Sequence, residues 1–178
     1  MKGFVIWLTG LPAAGKTTLA RELESLFRKM GRNVEVLDGD EVRRWLSPEA
    51  GFSKEDRERH IMRVAYVSKL LARNGVIAIV SLVSPYRSVR RKAKELIGED
   101  SFVEVYVKVS LDTAIKRDPK GLYKRALRGE IKDMTGIQDP YEEPEDPDVV
   151  VDTEKMTVQE EVEAILNRLR ERGLLESF

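Results

Sequence analysis

The sequence contains no cysteine, and His60 is its only histidine. The missing cysteines exclude disulfides, thiol nucleophiles and thiolate metal sites. With one imidazole, a multi-histidine zinc site cannot be built, and a Ser-His-Asp triad could form only around His60. Any catalysis therefore has to rely chiefly on carboxylates, hydroxyls, lysines and arginines.

The chain also has no excess of either charge, since 31 lysines and arginines balance 31 aspartates and glutamates. A neutral chain has no general attraction for nucleic acid or an anionic membrane, so neither partner is expected. The apolar start, Phe4–Leu8, is cut short by Gly10 and Pro12, which argues against a signal peptide or a spanning helix. We therefore expect a cytoplasmic protein.

The bulk composition is that of a globular domain. Apolar residues make up 42% of the chain and charged residues 35%, which favours a folded chain over a disordered one. The length of 178 residues suits a single domain, 1–178, with a substantial core. The high charged fraction and the missing cysteine are also typical of a thermophile.

Apolar, β-rich runs alternate with helical patterns, which predicts a parallel sheet flanked by helices. The predicted strands are Phe4–Thr9, Val34–Leu37, Val76–Ser81, Phe102–Val109 and Val149–Val151. The predicted helices are Lys16–Met30, Lys54–Asn74, Ser88–Ile97, Leu111–Arg117 and Val158–Arg172. The fold class is therefore α/β, with three layers and a mostly parallel sheet of about five strands. Polar residues alternate with valines in the strand at 102–109, so we expect one of its faces to be less covered.

Residues 118–148 lack apolar periodicity and contain prolines at positions 119, 140, 144 and 147. A polar, turn-rich stretch of this length is often a functional lid, although a disordered insertion has a similar composition. Basic, glycine and aromatic residues recur within it, which favours the lid. We call residues 118–148 the lid.

A phosphate-binding loop follows the first predicted strand. The stretch Gly10-Leu-Pro-Ala-Ala-Gly15-Lys16-Thr17 matches the pattern G-x-x-x-x-G-K-[ST]. Its glycines let backbone N–H groups point at phosphate oxygens, and the next helix adds its N-terminal dipole. Lys16 would contact the β- and γ-phosphates, and the Thr17 hydroxyl would ligate Mg²⁺. The predicted nucleotide site comprises Gly10, Ala13, Ala14, Gly15, Lys16, Thr17 and Thr18.

Several classes of protein carry such a loop. A switch GTPase would need a guanine-reading Asn-Lys-x-Asp segment, which the sequence lacks, and Asp118-Pro-Lys-Gly121 fits only a loose D-x-x-G pattern. A motor or large ATPase would need a longer chain. A kinase that transfers phosphate from ATP to a small acceptor fits both the length and the lid.

Two carboxylates follow the second predicted strand, in Asp38-Gly39-Asp40. Ligands of α/β folds bind at the carboxyl edge of the sheet. There Asp38 and Asp40 could hold Mg²⁺ or accept the proton of the acceptor hydroxyl. The same residues could instead form a surface turn, for which Asp-Gly is a common sequence. These residues alone leave both interpretations open.

An aromatic residue and a row of cations surround the start of the second predicted helix, Lys54–Asn74. Phe52 could stack on a planar base, or it could form a hydrophobic staple with Arg57. Arg57, His60 and Arg63 recur at helical spacing, so that one helix face could meet an anion. A solvated charged face gives the same pattern.

The segment Ser84-Pro85-Tyr86-Arg87 follows the third strand, again at the carboxyl edge. Ser84 could contact phosphate and Arg87 could clamp it. Alternatively, Ser84 could cap a helix that has Pro85 at its first position. Both interpretations can hold together.

Taken together, these segments resemble the adenylylsulfate kinase family. The matching stretches are Gly10–Thr18, Asp38–Arg43, Gly51–Arg57, Ser84–Arg87, Arg117–Tyr123, Thr135–Glu142 and Val151–Thr153. They occur in the family's order and extend over nearly the whole chain, so the joint match is far more specific than any single stretch. The resemblance implies transfer of the ATP γ-phosphate to the ribose 3′-hydroxyl of adenosine 5′-phosphosulfate (APS).

The resemblance also implies roles for individual residues. Lys16, Asp38, Asp40 and Ser84 would be catalytic, with Asp40 as the base, Thr17 and Asp38 at Mg²⁺, and Ser84 matching a serine that can be phosphorylated. Arg117 would lie near ATP. The residues implied to bind the acceptor are Asp40, Arg43, Phe52, Arg57, His60, Ser84, Pro85, Arg87, Lys120, Gly121, Leu122, Met134, Thr135, Gly136 and Ile137.

Among these acceptor residues, Phe52 would stack on the adenine, and Arg43 and Arg57 would hold the phosphosulfate. Two positions depart from the family pattern. Many relatives carry asparagine in place of His60, whose charge could vary near neutral pH, and an aromatic residue in place of Met134. A kinase of another small hydroxyl acceptor is therefore one alternative, and a nucleotide-dependent binding protein without turnover is another.

Members of the family commonly form dimers. The resemblance therefore implies a homodimer, although no apolar stripe in the sequence marks its interface.

Overall fold

The computed structural model describes residues 1–176, and positions 177 and 178 of the predicted domain lie outside the described residues. Within them, five strands form one parallel sheet in the order β2-β3-β1-β4-β5. The strands are β1 Phe4–Thr9, β2 Val34–Asp38, β3 Ile77–Ser81, β4 Phe102–Lys108 and β5 Val149–Asp152. The helices are α1 Lys16–Lys29, α2 Gly39–Leu46, α3 Lys54–Arg73, α4 Arg87–Ile97, α5 Leu111–Arg117, α6 Leu122–Leu127 and α7 Val158–Glu171. None of these helices is long and apolar enough to cross a membrane.

Two apolar cores, one on each face of the sheet, give the fold the three layers predicted from the sequence. Phe4, Ile6 and Leu8 of β1 pack with α1 and α7 in one core. Val5 and Trp7 of the same strand pack with α3 and α4 in the other. Successive side chains of a strand point to opposite faces, so one strand supplies both cores. Every residue of β1 is buried, as expected at the centre of a parallel sheet.

The strand order brings the predicted site segments to one edge of the sheet. β1 lies between β3 and β4, and the phosphate loop leaves its carboxyl end. Asp38 at the end of β2 and residues 82–84 after β3 reach the same edge because the strands are parallel. At the start of the loop, a Cβ on Gly10 would lie 2.4 Å from the Val107 carbonyl oxygen, so a side chain cannot be accommodated there.

Helix α2 was not predicted, and it shows that the surface-turn interpretation of Asp38-Gly39-Asp40 is wrong. The Asp38 carboxylate caps the helix by accepting a hydrogen bond from the Gly39 N–H at 2.8 Å. Asp40 and Glu41 occupy the first turn, where the positive end of the helix dipole favours carboxylates. The sequence misled because Asp-Gly is a strong turn signal and the helix is short.

Helix α6 lies inside the lid, which the sequence analysis described as turn-rich. Both carboxylate oxygens of Asp118 accept hydrogen bonds at its start, from the N–H groups of Tyr123 and Lys124 at 3.0 Å each. Tyr123 and Ala126 are its buried residues. Two buried positions are too few to produce a recognisable helical period.

Strand β4 has one face that is less covered than the other, as its alternating pattern predicts. Residues 139–148, which we call the return segment of the lid, lie over the face that carries Glu104 and Tyr106. The rings of Tyr106 and Tyr141 stack with their centroids 6.0 Å apart, and Tyr106 is buried. Further along, the Asp148 N–H donates to the Glu104 carbonyl at 2.9 Å. The face of Glu104 and Lys108 is still the less covered of the two, because Glu104 is half-buried and Lys108 is exposed whereas the valines of the other face are all buried, so the prediction for this strand is confirmed.

Candidate active site

The phosphate loop has the backbone of an anion-binding hollow. Gly15, which precedes α1, has a φ of 104°, and no side chain caps the helix start. Ala13 is also left-handed, with a φ of 66°. Such alternation turns successive N–H groups toward one point, and the uncapped N–H groups of α1 add to them. This geometry suits the phosphate site predicted for Gly10–Thr18.

Lys16 folds back over this loop. Its Nζ donates to the carbonyl oxygens of Gly10 and Leu11, each at 2.8 Å. Burial lowers the pKa of Lys16 to about 7, while the nearby Asp38 carboxylate opposes that shift. Phosphate oxygens would favour the charged ammonium, so a bound polyphosphate raises this pKa and draws a proton onto Lys16.

We predict that ATP affinity falls as the pH rises from about 7 to about 9, by up to roughly tenfold per pH unit. In this range free Lys16, with a pKa of about 7, has largely lost its proton, whereas the nucleotide complex retains it. Isothermal titration at pH 8 in two buffers of different ionisation enthalpy should report net proton uptake. Affinity that stays flat over this range, with no proton exchanged, would contradict the prediction.

Thr17 and Asp38 provide oxygen ligands beside the loop. The Thr17 hydroxyl donates to the Asp38 carboxylate, with distances of 3.2 Å to Oδ2 and 3.4 Å to Oδ1. Hydroxyl and carboxylate oxygens are ligands that Mg²⁺ accepts. Across positions 1–176, no three or more histidine, aspartate or glutamate side chains gather as a metal cluster. A hydroxyl and a carboxylate would leave the other positions around such an ion to phosphate and water.

Asp40 connects the start of α2 with the lid. Lys120 Nζ donates to Asp40 Oδ2 at 3.0 Å, and both side chains are well exposed. An exposed ion pair adds little to stability, but this one shows that the Asp40 carboxylate faces the lid. A carboxylate near a phosphate loop can accept the proton of an attacking hydroxyl.

Arg43 and Phe52 form a flat, positively charged surface on the α2 side of the site. The Arg43 guanidinium carbon lies 4.5 Å from the centroid of the Phe52 ring. Arg43 also donates to the carbonyls of Ala50, at 3.0 Å, and Gly51. Phe52 is 56% exposed, which excludes a hydrophobic staple with Arg57. An exposed ring beside a cation offers a stacking face to a planar base.

Arg57 links the first turn of α3 to the lid. It donates to the Asp133 carbonyl and to Thr135 Oγ1 at 3.2 Å, and it lies 3.3 Å from Asp139 Oδ2. Burial lowers the pKa of Arg43, and the charge of Arg57 lowers it further. Because this repulsion is relieved by an anion, the two arginines favour a negatively charged ligand.

The other lid residues predicted to enclose the acceptor take different positions. Thr135 is buried and accepts the hydrogen bond from Arg57, and Gly136 has a φ of 94°. Gly121, with a φ of 67°, precedes α6. Met134 is buried in the apolar core, against which Leu122 and Ile137 also pack. The structure therefore gives Met134 a core position rather than a place on the site surface.

His60 is buried and contacts the chain after α2. Its Nδ1 lies 2.7 Å from Ser47 Oγ, and Arg63 donates to the same hydroxyl at 3.1 Å. Burial, followed by the charges of Arg43 and Arg63, lowers the pKa of His60 to about 4. His60 is therefore neutral near pH 7, and the expectation of a variable charge there was wrong. Arg57 contacts the lid, whereas His60 and Arg63 both contact Ser47.

Ser84 is buried and has a φ of 50°. Its hydroxyl accepts a hydrogen bond from Trp7 Nε1 at 2.9 Å and donates to the Leu82 carbonyl at 3.3 Å. Helix α4 begins three residues later with Tyr86 as its N-cap, so the interpretation of Ser84 as a helix cap with Pro85 at the first position is wrong. In this conformation the hydroxyl is not accessible for phosphorylation.

Arg87 contacts the return segment of the lid. Its Nε donates to the Glu143 carbonyl at 2.6 Å, and its backbone N–H donates to Glu142 Oε1 at 2.9 Å. The predicted clamp is thus placed at the junction between the loop after β3 and the lid.

Arg117 lies on the other side of the phosphate loop. It donates to Thr153 Oγ1 at 2.9 Å and to the Thr153 carbonyl at 3.2 Å. A Cβ on Gly15 would lie 3.8 Å from the Thr153 methyl group, so this pair borders the loop. The position agrees with a role near ATP.

Sequence reasoning gave no role to Tyr123, although it supports the phosphate loop. The ring is buried, and its hydroxyl donates to the Pro12 carbonyl at 2.8 Å. The hydroxyl thereby ties the lid helix α6 to the loop. A contact between positions so far apart in the chain leaves no local pattern that could have revealed it.

The fold, the phosphate loop and the lid define a P-loop kinase. The model of the adenylylsulphate kinase family matches residues 2–152. A probable adenylyl-sulfate kinase of Pyrococcus abyssi is 55% identical over 98% of this chain and 99% of its own length. The chain belongs to the adenylylsulphate kinase family.

Solved structures agree with that assignment. The Mycobacterium tuberculosis APS kinase CysC, in complex with AMPPNP and APS, is 34% identical and covers 95% of this chain and 98% of its own, with a TM-score of 0.90. A hexameric APS kinase from Thiobacillus denitrificans is 36% identical, with a TM-score of 0.74 over 98% of this chain and 30% of that one.

Proposed function

We propose that the protein transfers the γ-phosphate of ATP to the 3′-hydroxyl of APS, giving 3′-phosphoadenylylsulfate and ADP. The observation that carries this proposal is the group formed by Phe52, Arg43 and Arg57. APS combines a planar adenine with an anionic phosphosulfate. An exposed aromatic ring beside two arginines complements both parts.

The chain's own residues divide the work of phosphoryl transfer. The loop N–H groups and Lys16 hold the β- and γ-phosphates, and Arg43 and Arg57 hold the phosphosulfate. Asp40 accepts the proton of the 3′-hydroxyl as the oxygen of that hydroxyl bonds to the γ-phosphorus. At the same time, the bond between the γ-phosphorus and the β–γ bridging oxygen breaks. Such a reaction asks the protein mainly for positioning and charge neutralisation.

Thr17 and Asp38 would hold Mg²⁺ at the nucleotide. The ion, when bound, would supply charge neutralisation at the phosphates. Asp38 would also keep its capping hydrogen bond from the Gly39 N–H, which fixes the carboxylate at the start of α2.

The lid contacts support a role in covering the acceptor. Lys120 of the lid contacts Asp40, and Thr135 and Asp139 of the lid contact Arg57. Asp40 and Arg57, which are proposed to bind the acceptor, therefore also contact the lid. Closing the lid over APS would exclude water, which otherwise competes with the 3′-hydroxyl for the phosphate.

The function is tested by measuring ADP release from Mg-ATP with APS, beside parallel reactions with AMP, adenosine, gluconate and shikimate. We expect turnover with APS and only background release with the others, because AMP and adenosine lack the sulfate and the two sugar-like acids lack the adenine. Turnover with gluconate or shikimate but not APS would assign the protein to another acceptor. ATP binding without turnover on any acceptor would make it a binding protein.

We propose that two copies pair through the face shared by α2 and α3. Trp45 and Tyr66 are 77% and 51% exposed there, and Leu46, Met62 and Val67 line a shallow groove beside them. Exposed tryptophan and tyrosine are typical of interface centres. We predict a dimer by sedimentation and a monomer after replacing both Trp45 and Tyr66 with serine. A monomeric wild-type chain at micromolar concentration would contradict the pairing.

A further inference from the structure

Arg90 is a buried charge that the proposed mechanism does not use. It lies on α4, and its side chain is 2% exposed. Arginine is rarely buried so completely unless its donors are satisfied. Nη1 donates to the Ser84 carbonyl and Nη2 to the Glu142 carbonyl, each at 2.5 Å, while Nε lies 3.8 Å from Glu104 Oε2. One guanidinium therefore joins the loop after β3, the return segment of the lid, and β4.

The first of these contacts acts on a strained residue. Ser84 has a φ of 50°, a conformation that residues other than glycine rarely adopt unless their surroundings hold it. Trp7 holds the Ser84 side chain, and Arg90 holds its carbonyl. The next residue, Pro85, has a nearly fixed φ, so the orientation of the Ser84 carbonyl sets the course of the chain to Arg87.

The second contact acts on the end of the lid. The Glu142 N–H donates to the Pro85 carbonyl at 2.8 Å, and the Glu142 carbonyl accepts the hydrogen bond from Arg90. The Tyr141 hydroxyl lies 2.8 Å from Thr9 Oγ1, and the Tyr141 ring centroid lies 5.7 Å from the Arg90 guanidinium carbon. The return segment is thus fixed to the sheet edge at Tyr141 and at Glu142.

We propose that Arg90 is a positioning residue for APS phosphorylation. It joins the loop at 82–87 and the return segment of the lid into one unit, so that the lid closes on the acceptor from a fixed base. The inference rests on the proposed function and adds a residue to it. A lysine could keep the charge, but its single ammonium lacks the planar fork that spans two carbonyls.

Arg172 provides a matched control at the opposite edge of the sheet. It also forks between backbone carbonyls, donating to those of Phe102 at 2.6 Å and Glu99 at 2.8 Å, and it pairs with Asp148 at 3.2 Å. Phe102 begins β4, whereas the site lies at the carboxyl ends of the strands. Arg172→Lys therefore removes a similar fork without touching the loop at 82–87, and its contact with the return segment is limited to Asp148, the last residue of that segment.

The test compares Arg90→Lys with Arg172→Lys in steady-state kinetics. We expect Arg90→Lys to raise the KM for APS by about tenfold, with the affinity for ATP changed less than about twofold, because the lost bonds border only the acceptor. Arg172→Lys should leave both quantities within about twofold of wild type, even if thermal stability falls equally. Equal KM values for APS in the two variants would overturn the proposal.

Hydrogen exchange separates this inference from the proposed function. The amides of residues 139–145 should exchange faster in Arg90→Lys than in Arg172→Lys, whichever acceptor the wild-type enzyme uses. Equal exchange in both variants would overturn the proposal even if APS is the substrate. Faster exchange together with a wild-type enzyme inactive on APS would leave the anchoring role standing and reject the function.

Tyr141→Phe covers the case in which Arg90→Lys does not fold. It keeps the ring beside Arg90 and removes only the hydroxyl that contacts Thr9. We expect the KM for APS to rise about threefold and exchange at 139–145 to quicken, since one neutral hydrogen bond is lost. A wild-type KM for APS together with wild-type exchange at 139–145 would contradict the proposal that the loop at 82–87 and the return segment form one unit.

Discussion

Replacing Asp40 with asparagine is expected to lower kcat for APS phosphorylation by about a thousandfold, because the 3′-hydroxyl then has no base to accept its proton. Asparagine keeps the shape of the side chain and can still occupy the first turn of α2. The ion pair with Lys120 is lost, but both partners are exposed, so thermal stability should change little. The affinity for ATP should stay within about twofold, since Asp40 is not a proposed nucleotide ligand.

Glu41→Gln is the control for this variant. Glu41 follows Asp40 in the same helical turn and is exposed, so the substitution removes the same charge from the same helix. We expect kcat within about twofold of wild type, as for other exposed substitutions away from a site. If Asp40→Asn also keeps more than about a tenth of the wild-type kcat, proton transfer to this carboxylate is not important for the reaction.

Replacing Arg57 with lysine is expected to raise the KM for APS by about fiftyfold, because a planar fork that can bind an oxyanion with two hydrogen bonds becomes a single ammonium. The same change loosens the lid, since Arg57 contacts Thr135 and Asp139. The KM for ATP should remain within about threefold, because the contacts of Arg57 are with the lid rather than with the phosphate loop. Initial rates over a range of both substrates would separate the two effects.

Arg59→Lys provides the comparison on the same helix. Arg59 is exposed and pairs with Asp56 one turn earlier, so its replacement tests loss of an arginine without loss of an acceptor contact. We expect a KM for APS within about twofold of wild type. Similar KM values for the Arg57 and Arg59 variants would mean that Arg57 serves the lid alone and does not touch the phosphosulfate.

Much of the fold could be predicted because it depends on short-range signals. β1 and α5 begin and end at the predicted residues, and each of the other predicted elements differs by one residue at one end. Buried strands have continuous apolar runs, and long helices have periodic ones. Helices α2 and α6 were missed because each is short and begins at or directly after a glycine, which is a strong turn signal.

In the candidate site, too, the residues that belong to local motifs could be predicted, and those that depend on distant contacts could not. The phosphate loop is a local motif in which the required backbone and side chains are neighbours in sequence, so its residues could be named in advance. His60 and Ser84 depend on distant partners, Ser47 and Trp7, that turn their side chains into the interior. No pattern within a few residues of either position could have shown that.

The residues that support the site were the least accessible to prediction. Tyr123 and Arg90 act through backbone carbonyls, at Pro12 in one case and at Ser84 and Glu142 in the other. Any residue type presents a carbonyl, so the partner positions carry no identifying side chain. Their roles become visible only when the lid is placed against the sheet.

The position of the new phosphate on the product tests the central claim most directly. The product of a reaction with Mg-ATP and APS would be isolated and examined by mass spectrometry and phosphorus–proton correlation NMR. We predict that the mass rises by one phosphate and that the new phosphorus couples to the ribose H3′. Phosphorus coupled to H2′, or ADP formed with APS unchanged, would contradict the account, because Asp40 would then not present the 3′-hydroxyl to the γ-phosphate.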